Sequence, residues 1–156
     1  MQVAAALGLA VGVVAGCSHE GDPHGPCDLL GGPSTITATF GGIEYKVVGG
    51  FGGDGNGTSL QIQRDGRMTR ETQRRGAEQG QLDQAALDGL IADARAAEFP
   101  TLCAVYRWEG ADDFVDKVTV QFDDSTFVVN ASQFGDPPDR LQALINKLRQ
   151  IVDRPL

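Results

Sequence analysis

The chain has 156 residues, of which 41% are apolar, 22% charged and 6% aromatic, the scale of one small hydrophobic core and too little for a multidomain enzyme. Against 21 Asp and Glu there are 13 Lys and Arg, and the resulting net charge of -8 repels phosphate backbones and anionic surfaces, which excludes nucleic acid as a partner. Gly and Pro crowd into residues 16–57, so the compact domain is expected over 43–156, with residues 17–42 as a tether.

Val3 to Gly16 carries no charge and is shorter than the roughly 20 residues that span a hydrocarbon core, so it is not an ordinary transmembrane helix. It ends in Val14-Ala15-Gly16-Cys17, small residues directly before a cysteine. This stretch resembles a bacterial lipoprotein signal, although Met1-Gln2 lacks the basic residue of a usual n-region. The resemblance implies that residues 1–16 are removed and that Cys17 takes the lipid, giving a membrane partner and a place in the cell envelope. The alternative is an N-terminal helix with Cys17 in a core, against which stand Gly8, Gly12 and Gly16, each costing a helix about 1 kcal/mol.

In such a compartment the other two cysteines, Cys27 and Cys103, are expected to pair across a loop of about 75 residues, a closure that the chain-entropy relation values at about 4 kcal/mol. The other reading leaves Cys103 as a free thiol among Leu102 and Val105.

Ser18 to Ser34 holds too many Gly and Pro for regular structure. Thr35 to Phe40 is β-prone, Gly41-Gly42 is expected to break it, and Ile43 to Val48 resumes with Tyr45 and Val47 on one face. Leu60 and Ile62 alternate with Gln61 and Gln63, and Asp65-Gly66 is a hairpin signal. The returning strand, Arg67 to Arg75, has Met68 as its large apolar side chain and reads as a solvated edge. Leu82, Leu87, Leu90, Ile91 and Ala94 form a helical stripe with Asp83 as N-cap and Phe99-Pro100 as the stop. Phe114, Val118, Val120 and Phe122 alternate with polar residues, and Asp123-Asp124-Ser125 turns that strand into Thr126 to Asn130. A second helix is expected with Asp136 as N-cap and Pro137 at its first position, a stripe from Leu141 to Val152, and Arg149 and Arg154 near its negative end. The predicted fold is α+β: a two-layer sandwich of a mostly antiparallel sheet with two helices packed on one face.

Gly49-Gly50-Phe51-Gly52-Gly53 before a strand, the Leu82 helix with Phe99 behind it, Asp112-Asp113-Phe114 opening a hairpin and Asp136-Pro137-Pro138 before a Leu-rich helix together resemble the emfourin-like family. That family is named after a protein inhibitor of protealysin, a thermolysin-type metalloprotease. The likeness covers roughly residues 43–152 and implies inhibition of a secreted metalloprotease.

Catalytic machinery is not evident. Both histidines, His19 and His24, lie in the tether, where no nucleophile-base set can be held rigidly. Asp112, Asp113 and Asp116 cluster at one end of a strand and Asp123 and Asp124 at the other, and carboxylate hydrolysis is weighed here against solubilising turns. His19, Glu20, Asp22 and His24 match no zinc spacing. Asp54 to Asp65 imitates a calcium loop, but Ser59 stands where the required Gly belongs and Asp65 where the bidentate Glu belongs. Gly49 to Gly57 lacks the Lys of a phosphate loop. No cofactor and no metal are expected. A binding module remains, with Phe51 and Trp108 as aromatic contact residues on loops, or alternatively as covers over the core and the sheet edge.

Overall fold

A computed structural model describes residues 27–32, 35–49, 57–107 and 114–155. In chain order these form β1 (Phe40–Gly49), β2 (Thr58–Gln63), β3 (Arg67–Thr72), β4 (Gly76–Gln81), α1 (Gln84–Ala96), a 3-10 turn at Phe99–Thr101, β5 (Val105–Tyr106), β6 (Phe114–Phe122), β7 (Ser125–Ser132) and α2 (Asp139–Asp153). The class is α+β. One 7-stranded sheet runs β4-β3-β2-β1-β6-β7-β5, antiparallel throughout except where β5 lies parallel to β7.

Cross-strand partners share a face of a sheet, so the register sorts its side chains. Ile43 faces Ile62 and Val120, Tyr45 faces Leu60 and Val118, and these are buried. Val129 and Phe127 continue the same face across β7. The opposite face carries Glu44, Lys46, Gln61, Lys117, Thr119 and Gln121, all at least partly exposed.

Several expectations need correction. The expected break at Gly41-Gly42 is instead an irregularity inside β1, with the register to β6 shifting between Phe40 and Gly42. A side chain at Gly42 would stand 3.0 Å from the Ile62 carbonyl, so glycine permits the close approach that keeps the strand continuous. Of the stretch expected as tether, the described residues from 28 on make contacts with the domain. Leu29 bridges Cys103, the Leu30 amide donates to the Leu102 carbonyl at 2.9 Å, the Ala104 amide donates to Asp28 at 2.9 Å, and Leu30, Ile36 and Ala38 pack on the core. Their apolar side chains account for this, and composition alone obscured them.

The returning strand expected over Arg67–Arg75 ends at Thr72, and a further strand that was not expected, β4, follows it. Gln73, Arg74 and Arg75 form a turn into Gly76, whose φ of 70° suits glycine, and β4 becomes the outer edge. The first helix starts as expected, with Asp83 Oδ1 accepting from the Ala86 amide at 2.8 Å. The second starts later than expected: Pro138, not Asp136, holds the cap position, its carbonyl accepting from the Leu141 amide at 2.9 Å. A proline biases the residue before it to extended backbone, so Pro138 keeps Pro137 out of the helix. An ion pair of 2.5 Å between Lys147 Nζ and Asp93 Oδ2 joins α2 to α1, and Arg140 Nε donates to the Ala97 carbonyl at 3.0 Å.

Candidate functional site

Two registers meet at the β5 end of the sheet. Val48 of β1 faces Val115 of β6, which faces Ser132 of β7; in the next row Lys46 faces Lys117, which faces Asn130, which faces Val105. Val48, Val105, Tyr106, Arg107, Val115, Asn130 and Ser132 line a shallow hollow of about 320 Å³. Its floor is valine, because the alternation that sends Tyr45, Asp116 and Val118 inward sends Val48 and Val115 outward.

Of the strongly exposed large apolar side chains, Val48 and Val105 line this hollow, and Leu29 and Phe134 adjoin residues at the β5 edge. Val48 is 39% and Val105 40% exposed, while Phe134 and Leu29 each reach 62%. Leu29 is the bridge partner of Cys103, two residues before Val105, and the Phe134 amide donates to the Ser132 hydroxyl at 3.2 Å. Among the described residues Arg107 makes no hydrogen bond or ion pair through its side chain, and neither does Lys117. Lys46 holds Glu44 at 2.7 Å, and this hydrogen bond, with the nearby Lys117 charge, lowers the Glu44 carboxyl below its ordinary range against the opposing effect of burial. The hollow thus combines apolar ground with local cations at its rim.

Behind the floor lies a buried polar network. Tyr45 Oη donates to Asp116 Oδ1 at 2.6 Å, and Arg149 of α2 donates to the same carboxylate through Nε at 3.3 Å and through Nη2. Asp116 is 2% exposed, and these donors satisfy its buried oxygens. Burial, and then the hydrogen bond to Asp116, push the Tyr45 phenol well above its ordinary value. Arg149 is held above its own ordinary value by the hydrogen bonds to Asp116 and Tyr45, which outweigh its desolvation. Asp116 directly follows Val115 of the hollow, so the network fixes the strand from behind.

A second network locks the other side of the sheet. Arg70 is fully buried; its Nη1 donates to the Ile151 and Val152 carbonyls at 3.2 and 2.9 Å and to the Arg154 carbonyl, satisfying the open end of α2. Its Nε donates to Glu78 Oε2 at 2.7 Å, while Nη2 lies 2.6 Å from that oxygen without hydrogen-bond geometry.

No protein-family profile, curated protein or solved structure matches this chain. Its site is therefore read from its own residues.

Cys27 and Cys103 stand at disulfide distance, with Cα atoms 5.5 Å apart and a sequence separation of 76. Cys17, His19, Glu20, Asp22 and His24 lie outside the described residues, as do Phe51, Asp54, Trp108, Asp112 and Asp113. The last described residues before the two segments that hold Phe51 and Trp108 are Gly49 and Arg107; Gly49 faces Phe114, where the second segment ends, and Arg107 lines the hollow.

Among the described residues, the acidic residues weighed for hydrolysis are not brought together. Asp116 is engaged by Tyr45 and Arg149, whereas Asp123, at the far end of β6, pairs with Arg64. Asp65 accepts from the backbone amide and Nε of Arg67, at 3.1 and 2.7 Å, which hold its carboxyl below the ordinary range. Among the described residues no group of three or more His, Cys, Asp or Glu is placed to hold a metal ion, and no helix is long and apolar enough to cross a membrane.

Sequence reasoning missed Arg70, and it named Asp116 without recognising its burial, though period-two alternation carried the signal. Arg70 follows buried Met68 at i+2, and Asp116 precedes buried Val118 by the same step. Leu29 and Phe134 had no such signal, since each stands in irregular chain.

Proposed function

We propose that this chain is a lipid-anchored, non-enzymatic binding module of the bacterial cell envelope, presenting the β5 corner of its sheet to a partner. The observation that carries the reading is the exposure of Val48 and Val105 in the hollow, with exposed Leu29 beside Cys103 and exposed Phe134 beside Ser132 at the same edge, where the chain from Cys27 also leaves the described domain. Soluble domains scatter exposed apolar residues, and a cluster marks a contact surface. Val14-Ala15-Gly16-Cys17 supports the anchor, with Cys17 as the lipidated residue.

The scaffold behind the corner is a two-layer sandwich with both helices on the inward face. Supporting this are the hydrogen bonds from Arg149 of α2 to Asp116 and Tyr45 of the sheet, from Arg70 of β3 to the end of α2, and the Lys147–Asp93 tie between helices. Oxidation at Cys27 and Cys103 fastens the tether to that scaffold. Phe51 and Trp108 act as aromatic contacts from the two segments that begin beside the corner.

A narrower reading, supported by the likeness to the emfourin-like family, makes the partner a thermolysin-type metalloprotease that the module inhibits. Carboxylate hydrolysis has less support, since Asp116 is committed to Tyr45 and Arg149. Changing Cys17 to Ser tests the anchored module: the variant is expected to leave the membrane fraction or to accumulate unprocessed, and undiminished membrane partitioning of a processed Cys17→Ser chain would refute it. Titrating a thermolysin-type protease with the full chain tests the narrower reading, for which a stoichiometric loss of activity is required.

A further inference from the structure

We infer that the surface met by the β5 corner is the bilayer that holds the anchored end of the chain. The inference rests on the lipid-anchor reading and assigns the contact that reading leaves open. Three observations converge on it.

The first is where the tether leaves. Without the contacts of residues 28–31 the domain would hang from Phe40, at the start of β1. With them the exit is Cys27, held at disulfide distance to Cys103 and beside Leu29, itself bridged to Cys103. Ten residues separate Cys17 from Cys27, a span of at most about 36 Å when fully extended. The corner is thus the part of the domain that the anchor holds nearest the membrane.

The second is what that corner exposes. Leu29 and Phe134 at 62%, Val105 at 40% and Val48 at 39% are the large apolar side chains most open to solvent among the described residues, and none of them lies at the β4 edge on the far side of the sheet. Apolar side chains of this kind enter the headgroup boundary of a bilayer, and Phe suits that depth.

The third is charge. At long range the net charge of -8 opposes an anionic surface. At the corner, Arg107 lines the hollow and makes no ion pair among the described residues, and Lys117, whose charge also acts on Glu44, stands in the neighbouring row, so that both can meet lipid phosphates. Because Glu109, Asp112 and Asp113 follow closely in the chain, apolar contact is the larger contribution and the cations set the orientation. Tethering makes a weak contact sufficient, since the anchor keeps the corner at high effective concentration against its own bilayer.

The test is photolabelling of the full lipidated chain in vesicles of phosphatidylethanolamine with a minor share of phosphatidylglycerol, using a phosphatidylethanolamine probe with a diazirine near its headgroup. Labels are expected on the peptides containing Leu29, Val105–Arg107 and Phe134, falling several-fold in a Val105→Glu, Phe134→Glu variant whose circular dichroism matches the parent. Labels confined to the Cys17 peptide would overturn the inference while leaving the anchor intact. Protein cross-links at the corner in whole envelopes, with no lipid label there, would overturn it in favour of a protein partner. A chain without acyl groups on Cys17, found in the aqueous phase, would overturn both the inference and the anchor reading.

Discussion

Replacing Arg149 by Met keeps most of the aliphatic stem against the sheet and removes one charge from the network behind the hollow. Asp116, 2% exposed, then keeps only the Tyr45 hydroxyl as a side-chain partner among the described residues. Stranding a buried carboxylate in this way costs about 3–5 kcal/mol when both partners are buried. The Arg149 side chain is 34% exposed, so solvent already screens part of the pair, and the expected loss is about 2–4 kcal/mol. Tyr45→Phe removes one hydrogen bond to a charged acceptor but leaves the ion pair intact, for a smaller loss of about 1.5 kcal/mol. Urea denaturation at neutral pH, run on the parent, both single variants and the double variant, measures these terms. The double variant is expected to depart from additivity, because both substitutions act on the same carboxylate. A loss below about 1 kcal/mol for Arg149→Met would place the pair with ordinary surface contacts and refute its role in fixing β6.

Three further outcomes follow from the same contacts. With its phenol held above its ordinary value of 10.0, Tyr45 keeps its proton in the fold while the unfolded chain loses it, so its contribution is complete below that value and declines as pH rises. The stability difference between the parent and Tyr45→Phe should therefore narrow above pH about 10, by up to about 1.4 kcal/mol per pH unit, and a constant difference would contradict the account. Cys27→Ser should lower the denaturation free energy of the oxidised protein by about 4 kcal/mol, the loop-closure value, and should speed proteolysis within residues 27–38; a change under about 1 kcal/mol would mean that the pair does not constrain the chain. Phe51→Ala should leave stability nearly unchanged if the ring is an exposed contact, whereas a loss of about 3–5 kcal/mol in chemical denaturation would assign it to the core.

The parts legible in the sequence are those governed by local rules. The Asp83 cap, the Asp65-Gly66 turn and the alternation of β6 each depend on a few neighbouring residues, and all stand in the structure. The parts that were not legible depend on partners distant in sequence. β5 is two residues long and gains its identity from β7, so it has no period to display. The run from Arg67 to Arg75 looks uniformly charged, yet Arg70 is buried because the end of α2, some eighty residues later, supplies carbonyls that only a long cation can reach. Residues 28–34 read as linker through Gly31, Gly32 and Pro33, while Leu30 and, just beyond, Ile36 and Ala38 found places on the core. At the candidate site the valines of the floor were visible as strand residues, but their meeting with Val105 and Arg107 required the parallel pairing of β5.

The intact mass of the protein extracted from bacterial envelopes by detergent tests the anchored module most directly. The account predicts a chain beginning at Cys17, heavier than the residues from 17 to 156 by a diacylglyceryl group and an N-terminal acyl chain, and partitioning into the detergent phase. A mass that retains residues 1–16, in a product that partitions into water, would contradict it.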